Sequence, residues 1–305
     1  MTNNITTIFT EGEIGMKDYI IVTESTTDLP QDLVNELEIT IIPMTFGFEN
    51  ESYLNYPDNR ELDIHKFYGR VKKGERSTTA LVNSKTFEEF FEPILKSGKD
   101  ILYIGFSSGL SGTYSASLIA AEELKQKYHD SKIICIDTLA ASMGEGLLVY
   151  YAAKLKQQGQ NIDEVSQWVL DNRLKLCQWF TVDDLNHLKR GGRISAMTAT
   201  VGSALNVKPI LHVDNEGHLN SVHNVRGRKK SINSLLEHME KLCVNPEGQT
   251  IFISHADCLE ETEYLAAQIK EKFPVNEVIL NFIGPVIGSH TGQGAIALFF
   301  LGKER

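Results

Sequence analysis

A chain of 305 residues is long enough for two domains of about 100–200 residues each. Its 42% hydrophobic and 23% charged residues are ordinary for a soluble globular protein and exclude a disordered or collagen-like chain. The longest apolar run, Ala295 to Leu301, is far short of the ~20 residues that span a bilayer, and a net charge of −10 argues against nucleic acid as a partner.

Residues 1–16 carry no hydrophobic periodicity, no basic n-region and no apolar h-region, so they read as a poorly ordered leader, not a secretory signal. Tyr19 to Thr23 is an apolar run of buried-strand type, and Asp28-Leu-Pro30 predicts a helix start with Asp28 as its N-cap. Ile39 to Pro43 reads as a second strand. Glu49 to Gly74 is polar and irregular, and reads as a surface excursion. A helix is expected from Ser84 to a C-cap at Ser97-Gly98, and a strand over Asp100–Phe106. The loop Ser107–Thr113 leads into a helix reaching about Tyr128, then a strand over Lys132–Ile136 and a helix over Ala141–Gln157. This alternation predicts a parallel sheet with helices on both faces.

A helix over Asp163–Leu174 leads into the second half. Strands are expected at Cys177–Thr181, Pro209–Val213, Leu219–Val225, Thr250–Ser254, Glu277–Phe282 and Ala295–Leu301. Helices are expected at Asp183–Lys189, Lys229–Leu242 and Leu259–Lys272, and Asn215-Glu-Gly217 reads as a hairpin turn. The fold class that follows is α/β with two domains. Residues 17–172 form an N-terminal parallel-sheet domain and 173–305 a C-terminal α+β domain, with a ligand between the two.

Four segments carry chemistry. Gly105 to Thr113 places four hydroxyls between a strand and a helix, where open α/β sheets bind ligands and backbone N–H groups meet anions. Part of it matches the nucleophile elbow G-x-S-x-G, but Gly109, Ser111 and Gly112 postpone the helix that an elbow needs directly after its serine. Ser77-Thr78-Thr79 offers adjacent hydroxyls at a loop–helix junction. Asp184 to Ser195 reads as a short helix ending in Lys189-Arg190 and Gly191-Gly192, with Arg193 beyond the caps. Gly284 to Gly294 is a glycine-rich loop that carries His290 and flanking hydroxyls. Between His187 and Lys230, eight basic residues against two acidic ones leave a stretch of +6 in an acidic chain, which suggests a face built to meet an anion. The four cysteines are far apart and lack CxxC spacing, so they read as reduced thiols of a cytoplasmic protein. No metal-ligand spacing appears near His290.

Taken together, Ile21 to Leu29, Ser107 to Thr113, Ile136-Asp-Thr138 with Ser142 to Gly146, Leu185 to Ser195, Lys208-Pro-Ile-Leu211 and Gly284 to Gly294 resemble the DegV family of bacterial fatty-acid-binding proteins. The resemblance covers about Lys17 to the end of the sequence. The chain departs from the family pattern at Glu24, where Asp is usual, and at Thr78-Thr79-Ala80-Leu81-Val82, where Thr-Ser-Gln-Pro-Ser is usual.

The resemblance implies a long-chain fatty acid held between two domains, with no cofactor. Thr78, Thr79, Ser107, Ser108 and His290 would bind the carboxylate. Arg193 and Arg226 would meet a phosphate or the partner. That partner is implied to be a fatty acid kinase similar to dihydroxyacetone kinases, which phosphorylates the presented carboxylate for phospholipid synthesis. A transient contact with an anionic membrane surface is a further expectation, and the chain would be a carrier with no catalytic residue. The alternative is a serine hydrolase of lipid-like esters, with Ser107 or Ser108 as nucleophile and His290 as base.

Overall fold

The computed structural model describes residues 17–194 and 206–305; the expected leader and Ser195 lie outside the described residues. The first half runs β1 (Tyr19–Glu24), α1 (Gln31–Glu36), β2 (Thr40–Ile42), β3 (Met44–Phe48), β4 (Glu51–Asn55), α2 (Ile64–Lys72) and β5 (Thr78–Ala80). It continues with α3 (Ser84–Lys96), β6 (Asp100–Gly105), α4 (Thr113–Lys125), β7 (Ile133–Asp137), α5 (Met143–Gln157) and α6 (Ile162–Asn172). The second half runs β8 (Leu176–Thr181), α7 (Asn186–Arg190), β9 (Val207–Val213), β10 (Leu219–Arg226), α8 (Arg228–Leu242) and β11 (Thr250–His255). It ends with α9 (Leu259–Lys272), β12 (Glu277–Phe282), α10 (Pro285–Thr291) and β13 (Ile296–Leu301).

The architecture is mixed α/β. A parallel sheet ordered β2-β1-β6-β7 is flanked by helices. β6 is buried along its whole length, as a strand covered on both faces must be. A second sheet, ordered β10-β9-β8-β13-β11-β12, is antiparallel except for the β11–β12 pair.

Strand period decides what each face of the second sheet meets. Cys177 and Trp179 of β8, with Ile296, Leu298 and Phe300 of β13, pack against Leu235, Leu236 and Met239 of α8 and Leu265 and Ile269 of α9. The alternate residues, including Phe180, Ala297 and Phe299, point the other way and join the core of the first half. Each such fully buried aliphatic or phenyl group contributes roughly 1.5–3 kcal/mol.

Three sequence expectations are corrected. Asp28 is not an N-cap: it stands at φ 50 after a 3-10 turn, and α1 starts behind Pro30. Its carboxylate instead accepts from the Gly284 N–H (2.9 Å) and the Ser142 hydroxyl (2.6 Å), bonds that no local pattern reveals. The polar excursion is ordered. β3, β4 and β5 form a three-stranded sheet, and α2 buries Ile64, Phe67, Tyr68 and Val71 beneath it. The glycine-rich segment before β13 is not a loop: Pro285–Thr291 is the short helix α10, opened by proline at its first turn.

Candidate functional site

A cavity of about 240 Å³ lies between the second sheet and the elements of the first half. Its walls are mainly apolar. Phe180, Ala297 and Phe299 come from the sheet, Phe106 and Leu110 from the β6–α4 loop, and Ile283, Val286 and Ile287 from the α10 region.

Polar groups gather at one end. Thr79 on β5 and His290 on α10, 211 residues apart in sequence, meet at 3.0 Å between Oγ1 and Nε2. β5 is positioned by its pairing with β3, where Phe46 stands opposite Thr79. Burial and the Arg193 charge push the His290 pKa down to about 4, so the ring is a neutral imidazole at neutral pH. The Nδ1 atom is buried and unpartnered among the described residues. Gly191 lets this ring sit where it does, because a Cβ there would lie 2.3 Å from Nδ1. The tautomer with the proton on Nε2 donates to Thr79 Oγ1 and leaves the Thr79 hydroxyl proton free to point into the cavity. A carboxylate needs such a donor to leave water.

Arg193 lines the same end. Its Nε donates to the Leu110 carbonyl at 3.2 Å and its Nη1 to the Gly191 carbonyl. Desolvation lowers its pKa, so the guanidinium is a partly withdrawn positive charge beside His290. Ser111, half-buried and lining the cavity, shares a 2.9 Å hydrogen bond with Thr113.

The remaining expected site residues do not converge here. Ser107 is buried but turned away: its hydroxyl donates to the Gly217 carbonyl (2.9 Å) and its oxygen accepts the Gly109 N–H (3.2 Å). Gly217 stands at φ +80, and a Cβ would sit 2.1 Å from Ser107 Oγ. Ser108 is exposed, and its N–H donates to Asp137. Thr78 is exposed on the opposite face of β5 from Thr79, as period two requires. Neither serine nor Thr78 lines the cavity. Arg226 is exposed at the end of β10 opposite Val207, outside the lining although on the same end of the sheet as His290. Neither Ser107 nor Ser108 hydrogen-bonds His290, so the pairing of the hydrolase alternative is not formed.

Most of the apolar lining carries no mark in the sequence, and the polar or exposed lining residues Leu81, Ser142 and Gln178 are not among the expected contacts. Gln178 left one signal, a lone amide inside the buried run Leu-Cys-Gln-Trp-Phe-Thr. Leu81 is half exposed at the mouth of the cavity, at the position where the family pattern usually has proline.

The frame is α/β and encloses a mainly apolar cavity with Thr79, Arg193 and His290 at one end. A sequence model described as the DegV family matches residues 19–303. A DegV domain-containing protein of Clostridium perfringens is 50% identical over 290 residues, covering 95% of this chain and 99% of that protein. The solved structure of DegV, a fatty acid binding protein from Bacillus subtilis, is 30% identical with a TM-score of 0.81, covering 94% of this chain and 100% of that one. A structure reporting fatty acid binding of a DegV family protein from Thermus thermophilus is 28% identical with a TM-score of 0.83, covering 93% and 99%. This chain belongs to the DegV family. Among the described residues no helix is long and apolar enough to cross a membrane.

Proposed function

We propose that this protein is a cytoplasmic carrier that binds one long-chain fatty acid between two domains, 17–172 and 173–305, and presents its carboxylate to a separate kinase. The observation that carries the reading is the pairing of Thr79 with a neutral, desolvated His290 at one end of a mainly apolar cavity. Each buried CH₂ of an acyl chain contributes about 0.8 kcal/mol, so the chain supplies most of the affinity and a modest polar end suffices. Arg193 adds a positive charge at the same end and bonds backbone carbonyls, not a protein carboxylate, among the described residues, so it is placed to meet an anionic group of the ligand. The fatty-acid-binding proteins of Bacillus subtilis and Thermus thermophilus support this ligand class.

The kinase is read as one similar to dihydroxyacetone kinases, with the acyl phosphate passing to phospholipid synthesis; the resemblance to the DegV family supports this reading. The exposed Arg226 is the candidate contact for the partner or for an anionic membrane surface. The carrier reading is favoured over the hydrolase by the Ser107 hydroxyl, which donates to a backbone carbonyl and not to a base.

The test is to denature the purified protein and identify released lipid by mass spectrometry, with a fluorophosphonate probe in parallel. One equivalent of a long-chain fatty acid without serine labelling is the expected result. Stoichiometric labelling of Ser107 or Ser108 would overturn it.

A further inference from the structure

Opposite the Thr79–His290 end, the cavity stops against Gln178, Phe299, Val213 and Leu219. Strand register sets the direction. Ile296 pairs with Thr181 next to the His290 end, and Phe299 pairs with Gln178 about 10 Å further along. The stop is buried, with Gln178 at 1% and Val213 at 3% exposure, whereas Leu81 at the mouth is 50% exposed.

Behind this stop lies Arg305. Its guanidinium has five N–H groups, and each donates to a different backbone carbonyl. Nε reaches Leu176 (3.2 Å), Nη1 reaches Leu139 (2.6 Å) and Asp214 (2.8 Å), and Nη2 reaches Thr138 (3.4 Å) and Arg173. These carbonyls belong to three separate stretches: the β7–α5 turn, the approach to β8 and the tip of the β9–β10 hairpin.

Each stretch adjoins the end wall. Asp214 follows Val213. Leu139 precedes Ala141, which lines the cavity and donates its N–H to Gln178 Oε1 at 3.2 Å. The Leu139 carbonyl also accepts from Gln178 Nε2 at 3.4 Å, and Leu139 is held at φ 53, a conformation uncommon for a leucine. The hairpin tip is pinned a second time through the Ser107–Gly217 bond.

We infer that Arg305 is a positioning residue that fixes the end wall of the cavity and thereby sets how long an acyl chain the protein accepts. The inference rests on the fatty-acid reading of the cavity. Without the guanidinium, five carbonyls lose their common donor, and the hairpin carrying Val213 and Leu219 is free to shift away from the β7–α5 turn. Lysine does not replace it, because one ammonium nitrogen has three donors at a single point and cannot reach carbonyls spread around a planar fork.

The experiment loads the full chain from an equimolar series of saturated fatty acids of graded length and reads the bound distribution by mass spectrometry, with Tm alongside. Wild type shows a sharp upper limit. Arg305→Ala and Arg305→Lys lose that limit and accept chains longer by about two carbons or more. Val213→Ala, which deepens the same end and leaves the guanidinium contacts intact, shifts the limit the same way. Leu170→Ala, an exposed residue of α6 outside the lining, leaves the limit where it was.

If Arg305→Ala does not fold, the lysine and Val213 variants still decide. An unchanged limit in Arg305→Lys at lowered Tm makes Arg305 a structural pin only and overturns the inference. An unchanged limit in Val213→Ala places the end wall elsewhere and overturns it as well. Wild type that binds no member of the series refutes the carrier reading itself, and the inference falls with it.

Discussion

Two segments look alike in sequence, Phe106–Thr113 and Gly284–Gly294: both are glycine-rich, carry hydroxyls and precede or contain a helix. They are also anchored alike. The Phe106 N–H donates to the buried carboxyl of Glu24 at 2.9 Å, and the Gly284 N–H to that of Asp28 at 2.9 Å. Both acids come from the end of β1 and the turn after it. Yet Ser107 is spent on Gly217 and on its own loop, whereas His290 faces the cavity with Thr79. A hydroxyl goes to the nearest acceptor that folding supplies, here a carbonyl on a hairpin tip more than 100 residues away. The His290 imidazole engages Thr79 through Nε2, and its Nδ1 has no partner among the described residues.

Gly217→Ala should cause the largest effect, on the first segment and the hairpin tip it rests on, and spare the His290 segment. It forces a Cβ into Ser107 Oγ at a positive φ, so a loss of roughly 3 kcal/mol is expected, read as a lowered Tm. An unchanged Tm would show that the hairpin tip does not rest on Ser107.

His290→Ala should do the reverse. Retention of bound fatty acid should fall by about tenfold to a hundredfold, the equivalent of one hydrogen bond to a charged group, with little change in the Tm of the ligand-free protein. Equal losses of stability and retention would erase the contrast between the two segments.

Ser107→Ala should lower stability by about 1–2 kcal/mol, because the buried Gly217 carbonyl loses its donor, and should leave lipid retention intact. Lost retention at unchanged Tm would return Ser107 to the carboxylate site.

The smallest effect concerns the shared anchors. Burial raises the pKa of both Glu24 and Asp28 to about 7. For each acid the folded pKa lies above the unfolded one, so its contribution is complete below the unfolded carboxylate range and is lost as pH rises toward 7. His290 acts in the opposite sense: its folded pKa of about 4 makes stability fall as pH drops below the ordinary histidine range. Glu24→Gln keeps an acceptor for the Phe106 N–H and removes the ionisation. Its Tm should exceed that of wild type by a few degrees at about pH 8, and the gain should vanish toward about pH 4. A gain of the same size at both ends of that range would mean that Glu24 is not neutral in the acidic protein.

Local pattern carried much of this protein. Short apolar runs and turn residues were enough to place β6, β8, β11 and β13, the β9–β10 hairpin and the alternating first half, because those signals depend on neighbours in sequence. Family motifs pointed to Thr79 and His290. What sequence could not decide was pairing across distance. The role of Asp28 is set by Gly284 and Ser142, far away in sequence, and the excursion is ordered because the apolar residues of α2 face a sheet formed by β3, β4 and β5. The choice between Ser107 and Ser111 as a cavity residue depended on where the hairpin tip came to rest, and the end wall on five carbonyls drawn together around Arg305. Hydrogen-bond donors are satisfied by whatever acceptor is nearest in space, and only the tertiary structure determines which acceptor that is.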